Sequence, residues 1–183
     1  MPQLPFSLKP ILNDLVALWI MATLAVCGGF VFNQLRSNPL PLMYASKAER
    51  LDAAVKSVSN TVLLENNDAV FQDLDLATFR AMMTTHPEAI ILDVRPEVFH
   101  RLSHIPRALS LPCEEFESAY NTLRPQLERN KAQILLVYCS GGSCEDGEMV
   151  ANALLKLAYT KVYLFRGGWN EWEEAKLPQE TNR

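Results

Sequence analysis

Two cysteines, Cys139 and Cys144, stand at the two ends of a short glycine-containing segment, and they are the residues best suited to chemistry. The segment follows an apolar stretch, 133–138, that predicts a buried strand, and it precedes 145–157, which predicts a helix with acidic residues in its first turn. Small residues at such a junction let several backbone N–H groups point at one place, where they and the helix dipole stabilise an anion. This setting favours a reactive thiolate, although a cysteine at a strand end can also be a small buried filler.

Composition limits the classes of function. The chain has 183 residues, a net charge of −4 and no basic patch, so we do not expect nucleic acid as a partner. The four cysteines are too few for a disulfide-stapled miniprotein, and the three histidines lie far from the cysteine pair in sequence. We therefore predict no metal site and no cofactor.

An uncharged stretch of 21 residues, 15–35, follows a short N-terminal tail, 1–14. As a helix it would span about 30 Å, the thickness of a bilayer core, so we predict a single-pass transmembrane helix. A wholly buried helix and a cleaved signal peptide are the alternatives. More positive residues follow the span than precede it, which predicts a cytoplasmic soluble domain.

Residues 36–68 predict a linker. Within it, 45–58 has helical spacing and could lie along lipid headgroups, pack on the domain or remain solvated, and 61–71 predicts a small edge hairpin. From 69 to 180 predicted strands and helices alternate, which is typical of a parallel sheet covered by helices on both faces. Ligands of such sheets bind beyond the carboxyl ends of the strands, which is where Cys139 falls.

Four groups of residues, in this order, resemble the rhodanese-like domain family. They are Leu92-Asp93-Val94-Arg95-Pro96-Glu97 with Phe99; His104-Ile105-Pro106-Arg107-Ala108-Leu109; Val137-Tyr138-Cys139-Ser140-Gly141-Gly142; and Val162-Tyr163 with Arg166-Gly167-Gly168-Trp169, Trp172 and Leu177-Pro178. The resemblance runs from about residue 70 to residue 178. It implies an α/β fold with a central parallel five-stranded sheet, and sulfur transfer through a cysteine persulfide.

The resemblance carries Cys139 over as the nucleophile that holds the persulfide. It also implies that residues 140–144 form the loop whose amides hold the sulfur anion. Within this loop, the predicted substrate-binding residues are Ser140, Gly141, Gly142 and Ser143. Sulfurtransferases of the family often place a cation at the second and last positions of this loop, which are Ser140 and Cys144 here. Carboxylates follow the loop at 145, 146 and 148. We therefore expect an accessible thiolate that is less acidic than in a cation-lined loop.

The absence of cations in the loop also affects which sulfur donors can bind. We expect a small anionic donor such as thiosulfate to bind poorly, and a neutral or protein-borne persulfide to bind more readily.

Cys144 supports a second hypothesis. Two thiols at the ends of one tight curl could come within disulfide reach, which needs Cα atoms about 4.4–6.8 Å apart. The pair could then discharge a persulfide or sulfenic acid by forming an internal disulfide. Alternatively, Cys144 only replaces a cation as a small polar end of the loop. Cys113, after the third predicted strand, could approach the site, but we expect it to be a plain core thiol, and we expect Cys27 to be part of the apolar stretch.

Asp93, Arg95 and His104 are candidates for a supporting role. In the family that the chain resembles, residues at these positions chiefly brace the loops around the site. We assign Asp93 and His104 to structural support, and Arg95 is the best candidate to lend charge to the pocket and bind substrate.

The sequence thus predicts a membrane-anchored rhodanese-like sulfurtransferase that uses Cys139. Its partners would be a sulfur donor, a thiol acceptor that could be protein-borne, and the membrane through residues 15–35. A thiol–disulfide protein using Cys139 and Cys144, and a non-catalytic binding module, are the alternatives. Phosphatase chemistry is disfavoured, because the related phosphatase loops are longer and end in an arginine, whereas position 145 is Glu.

Overall fold

The computed structural model describes residues 8–36, 45–59 and 70–181, and the chain divides into two compact units, Met1–Tyr44 and Ala45–Arg183. In the first unit, α1 (Leu8–Leu35) is one continuous helix. Its 23 residues Asn13–Leu35 are long and apolar enough to cross a membrane, a property that a signal sequence near the N-terminus shares. The helix begins before residue 15, and Pro10 falls in its first turn, where a missing N–H breaks no helical hydrogen bond.

The second unit alternates strands and helices, as predicted. In chain order its elements are α2 (Lys47–Val58), β1 (Gln72–Leu74), α3 (Leu76–Thr85), β2 (Ile90–Asp93), α4 (Glu97–Leu102), β3 (Leu109–Ser110), α5 (Phe116–Leu127), β4 (Ile134–Tyr138), α6 (Glu145–Lys156), β5 (Lys161–Phe165) and α7 (Gly168–Glu174).

In the described part of the chain, five strands form one sheet in the order β1-β5-β4-β2-β3, and every pairing is parallel. This confirms the predicted sheet. The central strand is β4, whose Val137 lies opposite Leu92 of β2 and Leu164 of β5. Because β4 is covered on both faces, its sequence reads as one apolar run, and it delivers Cys139 to the carboxyl edge of the sheet.

Helices cover both faces of the sheet. One face packs on α2, α5 and α6 through a core that includes Val55, Tyr120 and Leu154. The other face packs on α3 and α7 through Phe79 and Trp172. The core therefore consists of two apolar layers with the sheet between them, as the predicted fold requires.

The sequence left three alternatives open for residues 45–58, and the structure shows that this helix packs on the domain. Helix α2 begins at a capping box, in which Ser46 and Glu49 exchange hydrogen bonds at the helix start. It buries Leu51, Val55 and Val58 against the domain core. The compact unit that holds the sheet thus begins at Ala45, within the stretch that the sequence assigned to a linker.

Asp75 caps α3, since its side chain accepts a hydrogen bond of 2.7 Å from the Thr78 amide. The hairpin predicted over 61–71 falls mostly on 60–69, outside the described residues, and Gln72–Leu74, which follows it, is the edge strand β1.

Candidate active site

The candidate site is the loop that joins β4 to α6. It runs from Cys139 to Cys144, and its backbone turns through left-handed conformations at Gly141 (φ 117°), Gly142 (φ 71°) and Cys144 (φ 52°). Glycine adopts such angles without steric cost, whereas the left-handed Cys144 is unusual for a residue with a Cβ. The two glycines let the chain reverse within six residues and bring the ends of the loop together.

The two cysteines are joined in a disulfide, with their Cα atoms 5.8 Å apart. The structure thus brings together the pair that the five-residue spacing suggested. Cys139 is 3% exposed and Cys144 is 4% exposed. The sequence led us to expect an accessible thiolate, whereas in this oxidised form both sulfur atoms turn inward toward each other.

A backbone amide faces the sulfur of Cys139. The N–H of Gly141 points at Sγ with an N–S distance of 3.2 Å. The amides of Gly142 and Ser143 donate to no acceptor among the described residues. One N–H group therefore already lies where it would stabilise a sulfur anion, and its neighbours in the loop have no competing partner.

Gly147 makes room for the disulfide. It lies in the first turn of α6, and a Cβ on this residue would stand 2.6 Å from Cys144 Sγ and 2.8 Å from Leu164 Cδ1. No side chain fits there while the disulfide is in place. Sequence reasoning missed Gly147, because a glycine in a predicted helix reveals a close approach only when its tertiary neighbours are known.

The N-terminal end of α7 holds the loop from the other side. The Trp169 amide donates to the Cys139 carbonyl at 2.8 Å, and the Asn170 amide donates to the Ser140 carbonyl at 2.9 Å. Gly168, at φ 56°, permits this approach, since a Cβ there would lie 2.3 Å from the Cys139 oxygen. The Gly-Gly-Trp motif of the sequence therefore fixes the backbone of the reactive loop.

Behind the loop lies a buried polar network centred on Asp93. The Asp93 carboxylate accepts hydrogen bonds from Arg95 at 2.6 Å and from the Tyr138 hydroxyl at 2.7 Å, and His100 Nδ1 lies 3.3 Å away. Burial acts to raise the pKa of Asp93, but the hydrogen bonds of His100 and Arg95 and the Arg95 charge outweigh it, so the pKa falls below its usual value. The sequence predicted no supporting role for His100 or for Tyr138.

Arg95 is buried, and its guanidinium group bonds within this network. It is 5% exposed, pairs with Asp93, donates to the Ser103 carbonyl at 2.7 Å and lies over the Trp169 ring at 4.5 Å. Since Trp169 holds the Cys139 carbonyl, Arg95 and Asp93 support the reactive loop through one intervening residue. The predicted contact of Arg95 with substrate stays a prediction.

His104 ties the chain before β3 to the C-terminal segment. Its Nδ1 donates to the His100 carbonyl at 2.7 Å, the two imidazole rings stack with centroids 3.9 Å apart, and its backbone pairs with that of Glu180. These contacts agree with a supporting role for His104.

Two of the three carboxylates that follow the loop, Asp146 and Glu148, have cationic partners. Lys47 of α2 lies 2.8 Å from Asp146, and Arg166 pairs with Glu148. The hydrogen bond with Asp146 raises the pKa of Lys47 above its usual value. Sequence reasoning identified no partner for Asp146, because Lys47 and Asp146 are 99 residues apart in the chain.

Cys113 is a free, buried thiol on the same side of the sheet as the disulfide. Burial raises its pKa to about 12, which keeps it protonated at neutral pH. Its environment is that of the core thiol that the sequence predicted.

Comparison with known proteins decides the family. The sequence model of the family described as the rhodanese-like domain matches residues 75–175. The chain belongs to the rhodanese-like family. The match includes the reactive loop and most of its support but leaves out α2.

Relatives and solved structures agree with this assignment. A tRNA uridine(34) hydroxylase of Erwinia tasmaniensis is 30% identical over 127 residues, which are 67% of this chain and 35% of that protein. A rhodanese domain-containing protein of Drosophila melanogaster is 26% identical over 110 residues, 54% of this chain and 96% of that protein. The rhodanese-like chain thus spans about a third of the hydroxylase that it matches.

Two solved structures show the same fold. A protein of Bacillus halodurans superimposes with a TM-score of 0.52 at 22% identity, over 61% of this chain and 77% of that one. The rhodanese-like domain of a protein from Anabaena sp. gives a TM-score of 0.51 at 22% identity, over 61% and 80% of the two chains.

Proposed function

We propose that this protein is a rhodanese-like sulfurtransferase that carries sulfane sulfur as a persulfide on Cys139. The observation that supports this most is the position of Cys139 at the carboxyl end of the central strand, with the Gly141 amide on its sulfur at 3.2 Å. A persulfide that forms there extends from the same sulfur into the turn of loop amides, whose N–H groups suit an anionic terminal sulfur.

The reaction needs the reduced form of the site. The Cys139 thiolate attacks the outer sulfur of a donor persulfide; a new S–S bond forms, the S–S bond of the donor breaks, and the donor leaves as a thiolate with the electron pair. An acceptor thiolate then attacks the outer sulfur on Cys139, takes it as its own persulfide and releases the Cys139 thiolate. The cycle needs no external oxidant or reductant.

Transfer of labelled sulfur tests this proposal. After reduction, the full chain in detergent is given a low-molecular-weight persulfide whose outer sulfur is a heavy isotope, together with an acceptor thiol. The proposal predicts heavy sulfur on the acceptor at a rate above the uncatalysed exchange, and no acceleration by a Cys139→Ser variant. A wild type that accelerates the transfer no more than Cys139→Ser does would favour a non-catalytic binding module.

The disulfide favours a second function, in which Cys144 discharges the persulfide. The Cys144 thiolate attacks the inner sulfur, Cys139 Sγ; the Cys139–Cys144 bond forms and hydrosulfide leaves with the electron pair. A dithiol reductant must then reopen the disulfide, so each turnover converts one sulfane sulfur and one dithiol into sulfide and a disulfide. This activity predicts sulfide release that requires Cys144 and a dithiol, whereas Cys144→Ser retains the persulfide.

We further propose that residues 15–35 anchor the protein in a membrane, with the sulfur-transfer domain on the cytoplasmic side. The length and apolar character of Asn13–Leu35 support the anchor. Protease treatment of sealed inverted vesicles should degrade the domain, and mature protein that begins after the apolar stretch would instead identify a signal peptide.

The proposal does not extend to tRNA. The hydroxylase name belongs to proteins of which this chain spans about a third, and the net charge of −4 gives no electrostatic attraction for a polyanion.

A further inference from the structure

Two ion pairs join α2 to α6, one near each end of α6. Near the reactive loop, Lys47 Nζ lies 2.8 Å from Asp146 Oδ1, and at the far end Lys156 Nζ lies 2.6 Å from Asp52 Oδ1. The pairs are of the same kind and similarly exposed, since all four side chains are between 32% and 53% exposed. Only the first pair is next to the loop, because Asp146 follows Cys144 by two residues whereas Lys156 ends the helix.

Exposed ion pairs of this kind add little to folding stability, so a stabilising role alone gives no reason for one to be placed at the site. Their charge, however, acts on any other charge within a Debye length, about 8–10 Å at physiological salt. Asp146 carries a negative charge two residues after Cys144, and the Cys139 sulfur must itself become negative to react. A cation that holds this carboxylate therefore acts on the thiolate as well.

The loop has no cation of its own. All its residues from 139 to 144 are uncharged, and three carboxylates follow at Glu145, Asp146 and Glu148. Arg166 compensates Glu148 from the end of β5, and Lys47 compensates Asp146 from α2. Lys47 also lies 3.3 Å from Glu114, which fixes its position from a second side.

We infer that Lys47 is a positioning residue of the reactive site, and that α2, which lies outside the matched segment 75–175, is part of that site. Lys47 supplies the positive charge that the loop itself does not carry. This charge offsets the negative charge of the Asp146 carboxylate, which would otherwise disfavour the thiolate. This inference deepens the proposed function and rests on it, since it names the residue that prepares the Cys139 thiol for attack.

Several charged groups lie on the elements that carry or flank the reactive pair and must be counted together. They are Glu145, Asp146 and Glu148 on α6, Lys47 and Arg50 on α2, Glu114 before α5, Arg166 after β5, Asp93 at the end of β2, and Arg95 after it. Asp93 and Arg95 form a closed buried pair, and Arg50 bonds to Glu114 at 2.6 Å. Lys47 is thus the cation that bonds directly to Asp146, two residues after Cys144.

The test measures the pH midpoint for alkylation of Cys139 by peptide mass spectrometry. It uses the full chain in detergent, reduced, in a Cys144→Ser background so that one thiol of the pair titrates. A unit charge about 10 Å away at an effective dielectric of about 40 shifts such a midpoint by about half a pH unit. Lys47→Met should therefore raise the midpoint by about half a unit, and Asp146→Asn should lower it by a similar amount.

Three further results are expected. The double variant Lys47→Met with Asp146→Asn should return near the starting midpoint, because it removes one charge of each sign. The matched control Lys156→Met, which removes the other α2–α6 ion pair, should leave the midpoint unchanged while lowering the urea midpoint of unfolding as much as Lys47→Met does. The Lys47→Met shift should shrink in high salt.

Equal alkylation midpoints in Lys47→Met and Lys156→Met would overturn the inference. The midpoint is measured without any sulfur donor, so it is independent of the proposed function. Failure of Cys139 to accept sulfur, with the Lys47 shift intact, would reject the proposed function alone.

Discussion

Gly147 decides whether the two reactive thiols can bond, because its hydrogen occupies the place where a Cβ would meet Cys144 Sγ at 2.6 Å. Gly147→Ala should lower the equilibrium constant for the disulfide in a glutathione redox buffer by about 5- to 150-fold, which corresponds to about 1–3 kcal/mol of overpacking. Peptide mapping after alkylation of free thiols measures the oxidised fraction at each potential.

The reduced Gly147→Ala protein should stay folded, because alanine is favoured over glycine in a helix by about 1 kcal/mol. Asn152→Ala, on the exposed side of the same helix, is the matched control and should oxidise like the wild type. A Gly147→Ala protein that also oxidises like the wild type would show that the disulfide does not use this space.

The Asp93–Arg95 pair contributes to stability with a defined pH dependence. Asp93 is fully buried and Arg95 is 5% exposed, so Asp93→Asn leaves a buried charge unpaired and should lower the free energy of unfolding by about 3–5 kcal/mol. Urea unfolding measures this loss.

The pKa of Asp93 is lowered in the folded protein, so its contribution is present above the ordinary aspartate pKa and disappears as the pH falls through the lowered one. Stability of the wild type should therefore rise with pH in the acidic range, and this rise should be smaller in Asp93→Asn. Glu97→Gln, which removes an exposed pair with Arg101, should change stability little. A pH profile of Asp93→Asn that parallels the wild type would contradict the role of the buried pair.

At the scale of elements, α2 is a structural part of the domain. Its Leu51 is 5% exposed and belongs to the core shared with α5 and α6. Leu51→Ala should lower the free energy of unfolding by about 2–5 kcal/mol, as expected for a core leucine. The exposed Lys56→Ala on the same helix is the control, and equal midpoints for the two variants in urea would mean that α2 is not docked in solution.

Sequence reasoning succeeded for the elements whose signal is local. The apolar run before Cys139, the acidic first turn after Cys144 and the glycines between them predicted strand, helix and loop, and the spacing of the two cysteines suggested their disulfide. It missed β1, since Gln72-Asp73-Leu74 has three residues of which only Leu74 is buried. So short a strand is defined by its pairing with β5, which no local pattern encodes.

Contacts between residues that are distant in the chain could not be predicted from the sequence either. Lys47 bonds to Asp146 across 99 residues of sequence, and the buried Asp93 carboxylate contacts Tyr138 and His100 as well as Arg95. The loop that carries the two cysteines could therefore be predicted, whereas most of the residues that support this loop could not. The sequence indicated the loop because its glycines and cysteines lie close together in the chain. The residues that support the loop could not be recognised because they come from separate elements.

At the scale of the whole molecule, the net charge of −4 and the absence of a cation in the loop favour uncharged or protein-borne donors. The wild type should therefore use thiosulfate less well than a persulfide. Ser140 is exposed at the second loop position, so Ser140→Arg should raise kcat/KM for thiosulfate by about tenfold, the effect of one hydrogen bond to a charged group worth about 1.5 kcal/mol.

Ser140→Gln provides the matched control, because it adds length and a donor without the charge. Steady-state sulfur transfer to cyanide measures both variants. An equal gain from Ser140→Gln would attribute the effect to size, and a wild type that prefers thiosulfate would contradict the electrostatic account of the loop.

The central claim is that the sulfur of Cys139 accepts sulfane sulfur once the disulfide is reduced. Its most direct test is peptide mass spectrometry of the full chain after reduction, removal of reductant and brief exposure to a low-molecular-weight persulfide. The account predicts one additional sulfur atom on the peptide that contains Cys139, its loss on addition of an acceptor thiol, and no such mass in Cys139→Ser. Added sulfur on Cys113 or Cys27 with an unmodified Cys139 would contradict it.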